Sequence, residues 1–92
     1  MAESAASRAT FLEEAIRLHP EYDRAHIALW AVRHDQADHE AALAAITSVP
    51  DTSTLSRRAR FFEAISLLEL ERFDDAFDAF ESSSSGASPA FA

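Results

Sequence analysis

Residues 57–81 read RRARFFEAISLLELERFDDAFDAFE. Apolar residues recur in this stretch at intervals of three and four, which is the spacing of an amphipathic helix. The pattern predicts one helix over residues 57–70 and another over residues 73–81, separated by a tight joint at Glu71 and Arg72. The stretch therefore predicts a helical hairpin.

The second helix of this hairpin separates its side chains by polarity, so that one side is predicted to face the protein interior. Acidic residues in its first turn also suit the helix dipole. The predicted apolar side consists of Phe73, Ala76, Phe77 and Phe80, and the acidic side of Asp74, Asp75, Asp78 and Glu81.

The remaining chain predicts three more helices, over residues 4–18, 22–34 and 38–48, with Asp38 as the N-cap of the third. That third helix is apolar on most sides, which predicts that it lies between two neighbours. Residues 50–56 are rich in turn-forming residues and form the one clear loop. With one Gly and three Pro, the chain has too few turn formers for an all-β fold. We therefore predict an all-α protein of five helices in antiparallel hairpins.

The sequence also repeats. Shifted by 34 positions, it aligns with itself, and the joints before Asp38 and Arg72 coincide. Small residues fall at matching positions of the copies, and a large apolar residue stands at the position of Leu12 in both later copies. The aligned residues include Arg24 with Arg58, Ala25 with Ala59, Trp30 with Ala64, Ala42 with Ala76, and Leu12 with Ile46 and Phe80.

A unit of two helices with this period is typical of the tetratricopeptide repeat, and the chain resembles the Ala- and Leu-rich bacterial form of that family. Trp30 and Glu71 are departures, because the family has small residues there. The resemblance implies a helical-hairpin solenoid of about two and a half repeats. It implies a single domain over residues 1–87, with residues 82–92 as a Ser-rich flexible tail or the start of a truncated next repeat. An Ala-rich bundle with a chance period is the alternative. The resemblance depends on Ala42, Ala76, Trp30 and Ala64 at small-residue positions, on Phe73 at the start of a second helix, and on Pro20 at the end of a repeat.

In this family the first helix of each repeat lines a concave groove, so the resemblance implies a groove formed by the second and fourth helices. Members that grip a terminal carboxylate use Lys and Asn, and this chain contains neither. Apolar residues such as Ile27 and Phe61 stand at those positions, so we do not expect carboxylate binding of that kind. The predicted groove consists of Arg24, Ile27, Ala31, His34, Arg58, Phe61, Phe62, Ile65 and Leu68.

An apolar groove with arginines at its edge favours a protein–protein interaction module that binds an apolar peptide or helix of a partner. The alternative is a self-associating scaffold, as a homo-oligomer or part of a longer repeat array, because a repeat buries its apolar face only against neighbours. The packing of the groove side chains also stays open. Phe61 and Phe62 cannot point the same way on a helix, so some of them can pack inside the protein.

Charge and motif content count against other classes of protein. Sixteen acidic and eight basic residues give a net charge of −8, which repels nucleic acid. The single Gly leaves no phosphate-binding loop, and no catalytic motif is present, so we expect neither an enzyme nor a cofactor. The chain has no Cys, no signal peptide and no apolar run long enough for a membrane span. We therefore expect a cytoplasmic protein that does not bind membranes.

Two charged clusters offer other chemistry. Arg57, Arg58 and Arg60 can meet a phosphate or an acidic partner, although pairing with nearby acids such as Asp51 and Glu63 is favoured. The other cluster contains metal-type ligands, but it straddles a helix joint, so we do not expect a metal site. Its members are His34, Asp35, Asp38, His39 and Glu40.

Overall fold

The computed structural model describes residues 5–85, and these residues form helices without any strand. This confirms the predicted all-α class, and every helix boundary that the sequence predicted lies within one residue of the structure except the last. No helix in the described range combines the length and the apolar character needed to cross a bilayer. The helices are α1 (Ala5–Leu18), α2 (Asp23–Asp35), α3 (His39–Thr47), α4 (Ser56–Glu69) and α5 (Phe73–Ser85).

Each helix packs against the next one along the chain, and α2 also touches α4. Three-residue connections join α2 to α3 and α4 to α5, so both pairs form antiparallel hairpins. The helices α3 and α4 are antiparallel as well, because Nε2 of His39 at the start of α3 lies 3.8 Å from Oε1 of Glu69 at the end of α4. An ion pair of 2.6 Å between Arg33 and Glu13 ties α2 to α1. As predicted, α3 lies between two neighbours.

The two hairpins turn through the same backbone motif. Ala37 has φ 59° and Glu71 has φ 61°, so both residues adopt the left-handed conformation. Both joints have the hydrogen bonds of the Schellman motif, which glycine usually closes. Because Ala37 and Glu71 lie 34 positions apart, the period of the sequence is also a period of the backbone. The backbone N–H groups of Ala37 and Asp38 donate to the carbonyls of His34 and Arg33, and those of Glu71 and Arg72 donate to the carbonyls of Leu68 and Leu67.

Burial repeats with the same spacing. One core cluster surrounds Trp30 and Ile46 and joins α2, α3 and the start of α4, and a second joins α4 to α5 around Leu67. Leu43 of α3 packs against both clusters. Small residues allow the helices to approach closely, and both Trp30 and Ala42 are buried. The pairs of buried alanines at this spacing are Ala25 and Ala59, Ala42 and Ala76, and Ala45 and Ala79.

Arg60 holds the loop between α3 and α4. Its guanidinium donates to the carbonyl oxygens of Ile46 and Val49 at 3.1 and 2.8 Å, and it pairs with Asp51 at 3.1 Å. The last carbonyls of a helix have no partner within the helix, so these bonds cap the end of α3. The Nε atom of Arg60 also lies 3.1 Å from Oε1 of Glu63. The expected pairing with nearby acids is therefore confirmed for this arginine.

The structure corrects the predicted buried side of α5. Ala76 and Ala79 are buried against α4, whereas Phe73 and Phe77 are 61% and 63% exposed. The reason is that α4 is the only described helix in contact with α5, and it covers only the alanine side. The two phenylalanines lie beside that contact.

The helix α5 also continues beyond its predicted end. The hydroxyls of Ser83 and Ser84 donate to backbone carbonyls three residues earlier, at 2.7 and 3.2 Å. Such bonds are compatible with helical geometry, so a run of serines need not end a helix. The helix α5 therefore includes residues 82–85, and residues 86–92 of the predicted tail lie outside the described part of the chain.

Candidate binding surface

Trp30 connects α2 directly to α4. Its indole N–H donates to the hydroxyl of Ser66 at 2.7 Å, and both side chains are buried. Its ring also stacks with those of His34 and Phe62, at centroid distances of 4.9 and 4.4 Å. The large residue at a position where a small one was expected is thus accommodated by contacts between the two helices. These contacts fix the two helices that carry the predicted groove residues.

Three apolar residues of the predicted groove are anchored in the core. Ile27, Phe62 and Ile65 are half-buried and pack against the cluster around Trp30. Internal packing, which the sequence left open, therefore holds for these side chains. They form a fixed base beneath the more exposed residues of the same helices.

Two other apolar groove residues are open to solvent. Phe61 is 46% exposed and Leu68 is 42% exposed. They lie seven residues apart on α4, so they share one side of the helix about two turns apart. The ring of Phe61 lies 6.0 Å from that of Phe62 and 5.7 Å from that of Phe80, which holds its orientation. Ala31 of α2 is exposed as well, but it lines a depression between α2 and α1.

Two arginines of the predicted groove have no partner in the described chain. The side chains of Arg24 and Arg58 are exposed, and neither makes a hydrogen bond or ion pair with residues 5–85. Arg58 shares a shallow pocket with Arg57 and Phe61. The predicted basic cluster therefore has two parts. Arg60 makes its contacts within the protein, whereas Arg57 and Arg58 can meet an anionic group of a ligand.

The histidines of the first joint lie close together. The ring centroids of His34 and His39 are 5.3 Å apart, and the Nδ1 atom of each ring is buried without a hydrogen-bond partner in the described chain. Among residues 5–85, no three potential metal ligands come together. Asp38 instead caps α3 by accepting a hydrogen bond of 3.2 Å from the backbone N–H of Ala41, as its predicted N-cap role requires. Asp35 and Glu40 do not join the histidines in a metal-binding group.

A depression between α1 and α2 was not predicted from the sequence. It has a volume of about 510 Å³, and Phe11 at its edge is 75% exposed. The repeat contained a signal for this feature. Ala45 and Ala79 occupy the matching positions and are buried, whereas position 11 has the much larger Phe, which stays exposed. The depression is lined by Arg8, Phe11, Leu12, Ala28, Ala31, Val32 and Asp35.

The surface formed by α2 and α4 thus combines an exposed apolar strip of Phe61 and Leu68, a half-buried apolar base, and two arginines that have no partner among residues 5–85. This combination suits an apolar segment that also carries a carboxylate, because buried apolar area and a charged rim act together at protein interfaces. Comparisons with family models, with curated proteins and with solved structures find no match for this chain.

Proposed function

We propose that this protein is an interaction module that binds an apolar peptide or helix of a partner protein across α2 and α4. The observation that carries the proposal is the exposure of Phe61 and Leu68 above the half-buried Phe62 and Ile65. Single exposed apolar residues are common, but apolar side chains held on a fixed base resemble the anchors found at interface centres. The partner would bury this strip.

The internal repetition supports a tetratricopeptide-like arrangement as part of the same proposal. The two hairpins share their joint conformation and their pattern of buried alanines. In a solenoid of such hairpins, α2 and α4 would lie side by side and line one concave surface. The bond between Trp30 and Ser66 would hold these helices at a fixed separation, so that little order would be lost when a ligand binds.

The two arginines without a partner among residues 5–85 add a polar preference to this surface. Arg24 and Arg58 would attract acidic residues flanking the apolar segment of the ligand, against the repulsion from the net charge of −8. Exposed charges at a rim act mainly on the association rate and are screened by salt. We therefore expect Arg58→Ala to slow association at low salt and to have little effect at high salt.

The proposal is tested by affinity isolation with the immobilised protein. Phe61→Asp and Leu68→Asp place a charge in the strip, whereas Leu18→Asp places one on α1, where the leucine is already 57% exposed. We expect the same bound protein to be retained by the wild type and by Leu18→Asp, and to be lost with the two strip variants. For Phe61→Ala, the affinity for that protein should fall about tenfold or more.

Two results would contradict the proposal. If the strip variants retain the bound protein while their free energy of unfolding drops, the strip belongs to the core. If Phe61→Asp instead converts a dimer to a monomer in sedimentation velocity, the surface serves self-association, which is the alternative function.

A further inference from the structure

The exposed side of α5 has a covered counterpart within the same protein. His39 and Leu43 of α3 lie 34 residues before Phe73 and Phe77. The helix α4 covers the earlier pair. Leu43 packs against the cluster that contains Ala64 and Leu67 of α4, and Nε2 of His39 lies 3.8 Å from Oε1 of Glu69 at the end of α4. No described helix covers the later pair. Among residues 5–85, therefore, one position on the hairpin is filled by a helix on α3 and has no helix over it on α5.

Charge distinguishes the open side from its covered counterpart. An acid directly follows each phenylalanine of α5, and one step along a helix turns by about 100°. The acids Asp74, Asp78 and Glu81 therefore form a row beside the row of rings. All three are exposed, and none makes an ion pair within residues 5–85, whereas the neighbouring Asp75 pairs with Arg72 at 2.9 Å. At the corresponding positions α3 carries one acid only, since Ala44 and Thr47 match the last two.

This charge pattern favours some occupants over others. A second copy of the chain brings the same net charge of −8, and two α5 helices placed face to face would bring their acidic rows together. A helix with an apolar stripe and basic flanks would cover the rings and pair with the row of acids. Charge complementarity thus indicates a basic partner.

We propose that the α5 face, which consists of Phe73, Phe77 and Phe80 with Asp74, Asp78 and Glu81, binds a basic amphipathic helix of a partner protein. That helix takes the position on α5 that α4 takes on α3. The face adjoins the surface of α2 and α4 where Phe80 lies 5.7 Å from Phe61, but it shares no residue with the predicted groove. Either site can therefore fail without the other.

The test uses three synthetic peptides of about 20 residues, measured by fluorescence anisotropy against the whole protein. The first has a leucine stripe with lysine and arginine on its flanks. The second keeps the stripe and replaces the basic residues by glutamate. The third has the composition of the first in an order that breaks the stripe. We expect only the first peptide to bind, and to bind more weakly as salt is raised.

Matched variants locate the binding site. The double substitution Phe73→Ala with Phe77→Ala should weaken binding of the basic peptide about tenfold or more, because apolar anchors carry most of the affinity at an interface. Phe11→Ala removes another exposed phenylalanine, 75% accessible, from the other end of the described chain without changing the net charge. It should leave the dissociation constant unchanged. Asp78→Asn should weaken binding at low salt more than at high salt.

Four results would overturn the proposal. Equal affinity of the double variant and Phe11→Ala for the basic peptide would show attraction to net charge alone. If the second, acidic peptide binds as tightly as the first, the partner need not be basic. If the third peptide, in which the stripe is broken, binds as tightly, the partner need not be an amphipathic helix. A dimer in sedimentation equilibrium that the double substitution dissociates would assign the face to a second copy. The variant side chains are exposed, so unchanged thermal unfolding is expected and serves as the folding check.

Discussion

The hairpin α2–α3 and the hairpin α4–α5 have the same joints and the same buried alanines, yet they differ in how much of their second helix is covered. Leu43 of α3 packs against two core clusters, whereas Phe77, its counterpart on α5, is largely exposed. The helix pattern and the left-handed joint of each hairpin lie within its own local sequence. Whether an apolar side becomes core depends on which helix lies next to it.

The first helices of the hairpins differ in a second way. Trp30 of α2 reaches across to α4, where it bonds to Ser66 and stacks with Phe62. At the matching position of α4, Ala64 is fully buried and leaves room for α5. The first hairpin is therefore fixed to the second by a large side chain, whereas α5 is held by close packing of small ones.

The largest expected difference between the hairpins lies at this position. Trp30→Ala removes a buried indole from the contact between α2 and α4 and leaves the Ser66 hydroxyl without its partner. We expect a loss of about 3–5 kcal/mol in the free energy of unfolding, measured by urea denaturation with circular dichroism. The exposed aromatic residue Phe73 is the control, and Phe73→Ala should change stability by less than about 0.5 kcal/mol. Similar losses for both variants would contradict the described burial.

A second comparison concerns the matched positions on α3 and α5. Leu43→Ala should destabilise the protein by about 2 kcal/mol, because Leu43 fills space between two clusters. Phe77→Ala removes a larger side chain but should cost less than about 0.5 kcal/mol, since that side chain is mostly in water. Thermal or urea unfolding of the pair measures the difference. A larger loss for Phe77→Ala than for Leu43→Ala would show that α5 is covered in solution.

These comparisons also show what the sequence could predict. The spacing of the apolar residues was sufficient to predict the helices and the joint at Glu71. The exposure of Phe73 and Phe77 was not predictable, because the polarity of a helix shows that one side is apolar without showing which neighbour covers it. The division of the candidate surface into buried and exposed residues was also not predictable. Ile65 packs against the cluster around Trp30, which is distant in sequence.

Substitutions at the two hairpin joints should have the smallest effect on stability and report on a single backbone angle. Ala37 and Glu71 adopt a conformation that costs about 1 kcal/mol for a residue with a side chain. Ala37→Gly and Glu71→Gly should therefore each stabilise the protein by up to about 1 kcal/mol, offset in part by the greater freedom of glycine when unfolded.

Ala44 of α3 provides the matched control for this pair. It is exposed and helical, so Ala44→Gly should destabilise by about 1 kcal/mol. Chemical denaturation of the three variants distinguishes the two backbone conformations. A destabilised Ala37→Gly or Glu71→Gly protein would mean that the joint is not left-handed at that position, and the equivalence of the two hairpins would be lost there.

The most direct test of the difference between the hairpins is the reactivity of a single thiol at matched positions. The chain contains no cysteine, so Leu43→Cys and Phe77→Cys each introduce one reporter. Under native conditions, Phe77→Cys should react with a disulfide reagent nearly as fast as an unfolded peptide, and Leu43→Cys should react more slowly, because Leu43 is half-buried against two core clusters. Equal rates, or a protected thiol at position 77, would contradict an open α5 face on a hairpin whose counterpart is covered.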